Sequence, residues 1–305
     1  MARYIAIALA VFVALGLAGY ATYGHWFGTA PAAPVVAASR PVVVHAKVIE
    51  PAAATAPALE LVDVEGRVEK RAGDRWVALA KHDPLTAQDT IRTSDGSRAR
   101  IQTGDTIVEL GSRSEITVGE ISATLSQYLL NTGRVSAKLG AAGRTIRIET
   151  RSADAVAESA SGRFDVLDAA GRVAVAAEDG RVRVRAHGAA VDVHAGELTT
   201  VTAGAGPTAP AEIPPSLFLK IAPTEARGHT AALRGTTEPG AVVTIGATHV
   251  AADDRGAFAS QVPLKSGDNV IVVVVDDAMG RHEQQVVKQV VDDTGPKVNA
   301  QVHWK

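Results

Sequence analysis

From Gln88 to Val118 the chain alternates apolar and polar residues in three short runs. Ala99 and Ile101 alternate with Arg98, Arg100 and Gln102, Val108 and Leu110 flank Glu109, and Ile116 and Val118 alternate with Glu115 and Thr117. A strand turns successive side chains to opposite faces, so each run offers one face to a core and one to water. Asp95-Gly96, Gly104-Asp105 and Gly111-Ser112 link the runs with residues that accept the positive φ angles of tight reversals. The stretch is therefore predicted to be a β-meander. The same period of two extends over Leu61 to Val201, for example at Val135, Ala137 and Leu139, at Ile146 and Ile148, and at Val182 and Val184. Gly-Arg-Val recurs at Gly66, Gly133, Gly171 and Gly180, and each glycine is expected to open a strand. The irregular intervals make this a turn device rather than a fixed-period repeat. Gly119 to Asn131 breaks the pattern and suggests a helix, with Leu125, Tyr128 and Leu129 as its apolar stripe.

Proline divides the remainder. Pro31, Pro34, Pro41, Pro51 and Pro57 fall in an Ala- and Val-rich stretch, and a second proline-rich link runs from Gly204 to Pro215. Proline fixes φ and donates no backbone hydrogen bond, so both stretches are expected to be extended tethers. The apolar patch from Pro41 to Ile49 has a second reading, as a strand added to a partner. Beyond the second link, Val270 to Val275 is a continuous apolar run, expected to be a strand buried on both faces.

Two families are suggested by these residues. Asp89-Thr90-Ile91-Arg92-Thr93, Ser97-Arg98-Ala99, the strand ending at Leu110, Leu130 with Gly133-Arg134-Val135, and Thr150 fall in the order of FecR-like domains. Gly162-Arg163-Phe164, Asp179-Gly180-Arg181-Val182 and Ala195-Gly196-Glu197 continue that order, and together these residues resemble the family over roughly Leu61 to Val201. Arg151 stands where that family usually has proline, and Glu197 where it often has glutamine. Gly235, Glu238-Pro239-Gly240, Gly256, Phe258, Gly267-Asp268-Asn269, Asp276 and Gly280 resemble a bacterial immunoglobulin-like domain of the sort found beside glucodextranase catalytic domains. The expected fold class is thus all-β: an N-terminal membrane-spanning helix, a FecR-like β-domain, then an immunoglobulin-like β-sandwich. The expected boundaries are 1–27 for a signal anchor or signal peptide and 28–60 for an Ala/Pro-rich linker, followed by 61–202 for the FecR-like domain. A second linker over 203–215, the sandwich over 216–292 and a tail over 293–305 complete the chain.

Composition narrows the function. A net charge of −2 over 305 residues gives no basic footprint for nucleic acid, and the absence of cysteine removes disulfides, thiolate catalysis and cysteine-ligated zinc. Ile5 to Ala21 is uncharged and mostly apolar, preceded by Arg3 and followed by Tyr20, Tyr23, Trp26 and Phe27. A retained anchor from Tyr4 to about Tyr23 is close to the ~20 residues a bilayer requires, with the aromatic cluster at the outer interface. The alternative is a signal peptide cut near Gly19-Tyr20-Ala21. The expected location is the bacterial inner membrane, single-pass, with the bulk in the periplasm; cleavage would give a secreted product. FecR regulators act on sigma factors through a cytoplasmic amino-terminal segment, and the anchor reading leaves only Met1 to Arg3 for that role.

Candidate chemistry is sparse. Asp253-Asp254, Asp276-Asp277 and Asp292-Asp293 are acidic pairs without calcium-loop spacing and are read as Asx-type turns. The nine histidines form no HExxH, and His282-Glu283 lacks its second histidine. No G-x-S-x-G elbow, Walker A or dinucleotide fingerprint is present, so the chain is read as non-enzymatic, with no cofactor and no metal. Arg181, Arg183 and Arg185 occupy alternate positions of one run. They place three guanidinium groups on one face about 6–7 Å apart, as a possible anion-binding ladder or as a solvated face. The expected function is a membrane-tethered envelope protein whose β-domains bind or scaffold, with an envelope protein or an anionic cell-wall component as partner and no nucleic acid. Receipt of an envelope signal in a FecR-type pathway, and accessory work in carbohydrate processing, are the alternatives.

Overall fold

The structure, a computed structural model, describes residues 58–141 and 143–292, and these are built from strands. The expected membrane segment, most of the first linker and the tail over 293–305 lie outside the described residues. Among the described residues no helix is long and apolar enough to cross a membrane. All of them fall in one compact unit of the chain.

The first body opens with β1 (Leu59–Glu65), β2 (Val68–Ala72), β3 (Arg75–Ala78), β4 (Pro84–Leu85), β5 (Thr90–Thr93) and β6 (Arg98–Thr103). Next come β7 (Thr106–Leu110), β8 (Glu115–Ile121), β9 (Leu125–Lys138), β10 (Thr145–Thr150) and β11 (Val156–Ser159). It ends with β12 (Gly162–Ala169), β13 (Arg172–Ala186), β14 (Ala189–His194), β15 (Glu197–Thr202) and β16 (Ala211–Glu212). Sheet A has the order β4-β1-β6-β7-β9-β12-β13-β15-β16. Sheet B has the order β3-β2-β5-β8-β9-β10-β11-β13-β14, and its β9–β10 pair is parallel.

Strands β9 and β13 belong to both sheets. Leu125–Leu130 pairs with β10 in sheet B, whereas Gly133–Lys138 pairs with β12 in sheet A. Likewise Arg172–Ala177 pairs with β15 and Arg181–Ala186 with β14. The crossing points are Gly133 at φ 89° and Gly180 at φ 74°, where a strand leaves one sheet for the other through a bend that side chains resist. Two of the four Gly-Arg-Val glycines therefore sit inside strands, contrary to the expectation that each opens one. A Cβ on Gly133 would lie 2.5 Å from Cα of Ser114, so the corner is closed sterically as well.

The inner faces of A and B enclose one apolar core that includes Leu61, Ile101, Ile116, Tyr128, Leu130, Ile148, Phe164 and Val184. The strands expected over 88–118 form as β5 to β8, but not as a meander: β6 and β7 make a hairpin in sheet A, while β5 and β8 pair with each other in sheet B. The helix suggested over 119–131 does not form, because Leu125–Leu130 lies between β8 and β10 with Tyr128 and Leu130 pointing inward and fully buried. Burying such side chains contributes roughly 1.5–3 kcal/mol each, which outweighs propensity differences of at most about 0.7 kcal/mol per residue.

The second body comprises β17 (Lys220–Ile221), β18 (Glu225–Arg227), β19 (Thr230–Thr236), β20 (Val242–Ile245), β21 (Thr248–Ala251), β22 (Ala257–Pro263), β23 (Gly267–Asp276) and β24 (His282–Val291). Strand β19 pairs with β17, β18 and β22 in one four-stranded sheet, and β21-β20-β23-β24 form another. Leu233, Val243, Phe258, Ile271, Val273 and Val275 fill the core between them. Strand β23 is an interior strand, but it is buried on one face only. Ile271, Val273 and Val275 point inward while Val270 and Val272 are 65% and 41% exposed. A sheet that meets a single partner sheet has one wet face, which corrects the expectation of burial on both.

The second linker is not a free tether. Ala211–Glu212 forms β16 against β15, and Ile213 packs with Leu167, Ala174, Ala176 and Leu198 on the outer face of sheet A. Ala278, Met279 and Val242 of the second body complete this cluster. Strand β1 also includes Leu59 and Glu60, which fall in the span expected to be linker.

Candidate functional site

The outer face of sheet B is largely polar, with half-buried Leu125, Leu129 and Val156 among its charged side chains. Alternation along each strand puts Val182, Val184 and Ala186 into the core and Arg181, Arg183 and Arg185 into solvent, with side chains 65%, 60% and 46% exposed. The structure thus places the three sequence-marked arginines on one face. Pairing register then brings them partners. Asp192 of β14 lies opposite Arg183, Arg183 opposite Glu158 of β11, and Glu158 opposite Arg147 of β10. Arg181 and Arg183 each approach Asp192 at 3.9 Å, while Glu158 accepts from Arg185 at 2.7 Å and from Arg147 at 3.1 Å. Exposed pairs of this kind contribute about 0–1 kcal/mol each, so they order the row more than they stabilise it. Two carboxylates serve four guanidinium groups, which leaves the row positive. Arg147 was missed in the sequence because it sits alone on its strand, and only the register joins it to the ladder.

Farther across the face, Glu69 is held between Arg67 at 2.6 Å and Arg92 at 2.7 Å. Hydrogen bonds from Arg67 and then Arg92 hold its carboxyl below the usual range. The Arg92 guanidinium stacks 3.9 Å from the Trp76 ring centre, fixing its plane. Thr90 and Thr117 share a hydrogen bond at 3.0 Å, and Asn131 donates to Glu115 and Thr117.

The outer face of sheet A is built differently. Asp165 of β12 points out of the core yet is fully buried, with Arg134 at 3.4 Å from Oδ1 and no hydrogen-bond partner at Oδ2. Burial, and then the neighbouring Glu178 carboxylate, push Asp165 up to about 7 despite Arg134 and Ser136. Arg172 forms an ion pair with Asp254 of the second body, and Thr200 donates to the same carboxylate at 2.8 Å. Arg281 joins Glu238, Asp277 and the Pro214 carbonyl, tying linker to second body. Burial raises Glu238 to about 7, with Arg281 opposing and Asp277 reinforcing the shift.

Two of the three acidic pairs do structural work, and Asp293 of the third lies outside the described residues. Asp253 accepts from the backbone N–H of Arg255 and Ala257, an Asx turn as expected, and its carboxyl is lowered chiefly by the Ala257 bond. Asp277 is bound by Arg281 and Asp276 lies 3.0 Å from His282. No group of three or more metal-ligating side chains occurs among the described residues. A depression lined by Asp63, Glu65, Arg98, Arg100 and Glu109 measures about 30 Å³, room for about one water.

Among known proteins, no curated relative matches the chain. Two crystal structures of a proposed anti-sigma factor from Parabacteroides distasonis are similar at 18% identity and a TM-score of 0.36, covering 40% and 42% of this chain and 59% and 60% of theirs. The chain therefore spans about three fifths of the length of those structures. Residues 89–183, which carry β5 and β8 to β11 of the charged face and enter β13 as far as Arg183, match the family described as FecR protein.

Proposed function

We propose that this chain is a non-catalytic binding and scaffolding protein of the cell envelope, acting in a FecR-type signalling pathway and presenting the outer face of sheet B to a protein partner. The observation that carries the reading is the family match over 89–183, which contains Arg147, Glu158, Arg181 and Arg183 of the charged face together with β6, β7 and β12 of sheet A. Packing supports it as well, since the second body and the linker cover part of the outer face of sheet A and leave the outer face of sheet B in solvent. The reading includes membrane attachment through residues 1–27, a periplasmic position for both bodies, and an immunoglobulin-like identity for the second body. A second reading, favoured by the surplus of guanidinium over carboxylate in the Arg147–Arg185 row, is an anionic envelope polymer as ligand.

A cross-linking pull-down from intact cells tests both. The full chain is expected to capture a discrete protein, and the chain carrying Arg181→Ser, Arg183→Ser and Arg185→Ser is expected to capture less of it. Equal capture by both chains would remove the face from the account. Recovery of peptidoglycan alone would favour the second reading.

A further inference from the structure

The longest sheet edge of the second body is β24. Strand β24 pairs with β23 over ten residues, Gly267↔Val291 to Asp276↔His282, without a register shift, and nothing among the described residues pairs with its other side. The opposite edge of that sheet, β21, is four residues long; in the facing sheet β17 and β18 form one edge with two and three residues, and β22 forms the other with seven, ending at Pro263. Short edges are protected, whereas a long regular edge without proline or bulge invites another strand. Beside that edge, Val286 and Val290 are 48% and 63% exposed, next to Val272 and Val270 on β23. Val272 lies directly opposite Val286.

We propose that β24 is a self-association edge, at which a second copy of this chain adds its own β24 antiparallel across a two-fold axis at Val286. The sequence HEQQVVKQVV is self-complementary in that register. Val286 faces Val286 of the second copy, Lys288 faces Gln284, Glu283 faces Gln289 and His282 faces Val290, so no like charges oppose. Shifting the axis to Lys288 sets two ammonium groups against each other, and shifting it to Val287 sets Val286 against Lys288. The Val286 register also joins Val272 and Val286 of both copies into one row of four valines across the junction, the cross-strand contact that stabilises paired strands. A two-fold, isologous contact of this kind closes on itself and yields a dimer.

The cysteine-free chain allows a test of the register itself. Directly opposed strand residues have Cβ atoms about 4.5–5.5 Å apart, at the upper limit of the roughly 3.5–4.5 Å of a disulfide, so a small approach of the two edges closes the bond. The full chain carrying Val286→Cys is expected to become mainly a disulfide dimer under mild oxidation. Val290→Cys alone is expected to stay unlinked, but to link when mixed with chains carrying His282→Cys. Absence of Val286→Cys dimers would overturn the proposal, including the case in which residues 293–305 or another protein cover the edge. Equal linking by Val286→Cys and Val290→Cys would overturn it too, since random collision has no register.

Discussion

The two outer faces of the first body share the same long strands and differ most where the second body covers sheet A. On sheet A, β12 and β13 meet the linker and the second body, and at that joint Asp165 and, from the second body, Glu238 are buried and raised to about 7, while β1, β6 and β7 of the same sheet keep exposed ion pairs. On sheet B, β13 continues past Gly180 into solvent, and its arginines alternate with acids from neighbouring strands. One strand can serve both faces because a glycine corner hands it from one sheet to the other. Burial rather than residue type then decides what a charge does: an ion pair lost from a wet face costs little, whereas a lone charge in a covered one is expensive.

The largest effect should come from breaking the corner. Gly133→Ala forces a Cβ into Ser114 at a positive φ, and should cost roughly 3 kcal/mol or more because both sheets depend on that bend. Urea unfolding with the midpoint unchanged would show that the two faces do not share a hinge. Next is the covered face. Ala174→Glu places a carboxylate where Gly240 of the second body packs, at a site 2% exposed, and should cost about 1–3 kcal/mol. Limited proteolysis should then cut faster within 203–215, and an unaltered cutting rate would mean that the joint contributes little.

A smaller effect concerns pH. Asp165 has a folded value above its ordinary unfolded one, so the folded state holds the proton more tightly. Its contribution is complete below the ordinary carboxylate range and is lost as pH rises toward about 7. Asp165→Asn removes that loss, so thermal melting of the variant should gain on the parent progressively from pH 4 to pH 8. Parallel melting curves would contradict the buried-acid account. The smallest stability change belongs to the open face. Replacing Arg181, Arg183 and Arg185 with serine should alter stability by about half a kcal/mol or less each. Retention on purified peptidoglycan or anionic lipid should fall at low salt and differ less at high salt, if the anionic reading holds. Equal retention at every salt concentration would dismiss that reading.

Strand identity was legible where one face is wet, since alternation then reports burial directly, as at Arg98–Thr103 and Arg181–Ala186. It failed at Leu125–Leu130, where half-buried leucines on the outer face blur the period; at Val270–Val275 the strand forms as expected, but exposed valines imitate a core and burial was overestimated. The arginine ladder was visible on one strand. Its partners Arg147, Glu158 and Asp192 come from three other strands, and register between strands distant in sequence leaves no local pattern. The joint was equally hidden: Glu238 reads as a turn residue beside Pro239 and Gly240 until Arg281 is seen against it.

The division of labour between the faces can be measured directly in cells. A photo-crosslinking amino acid would replace Arg183 on the open face in one chain and Asp268, exposed near the start of β23 in the second body, in another. The account predicts a discrete protein adduct from position 183 and none of that mass from position 268. An adduct from position 268 with none from 183 would contradict the claim that the outer face of sheet B is the working surface.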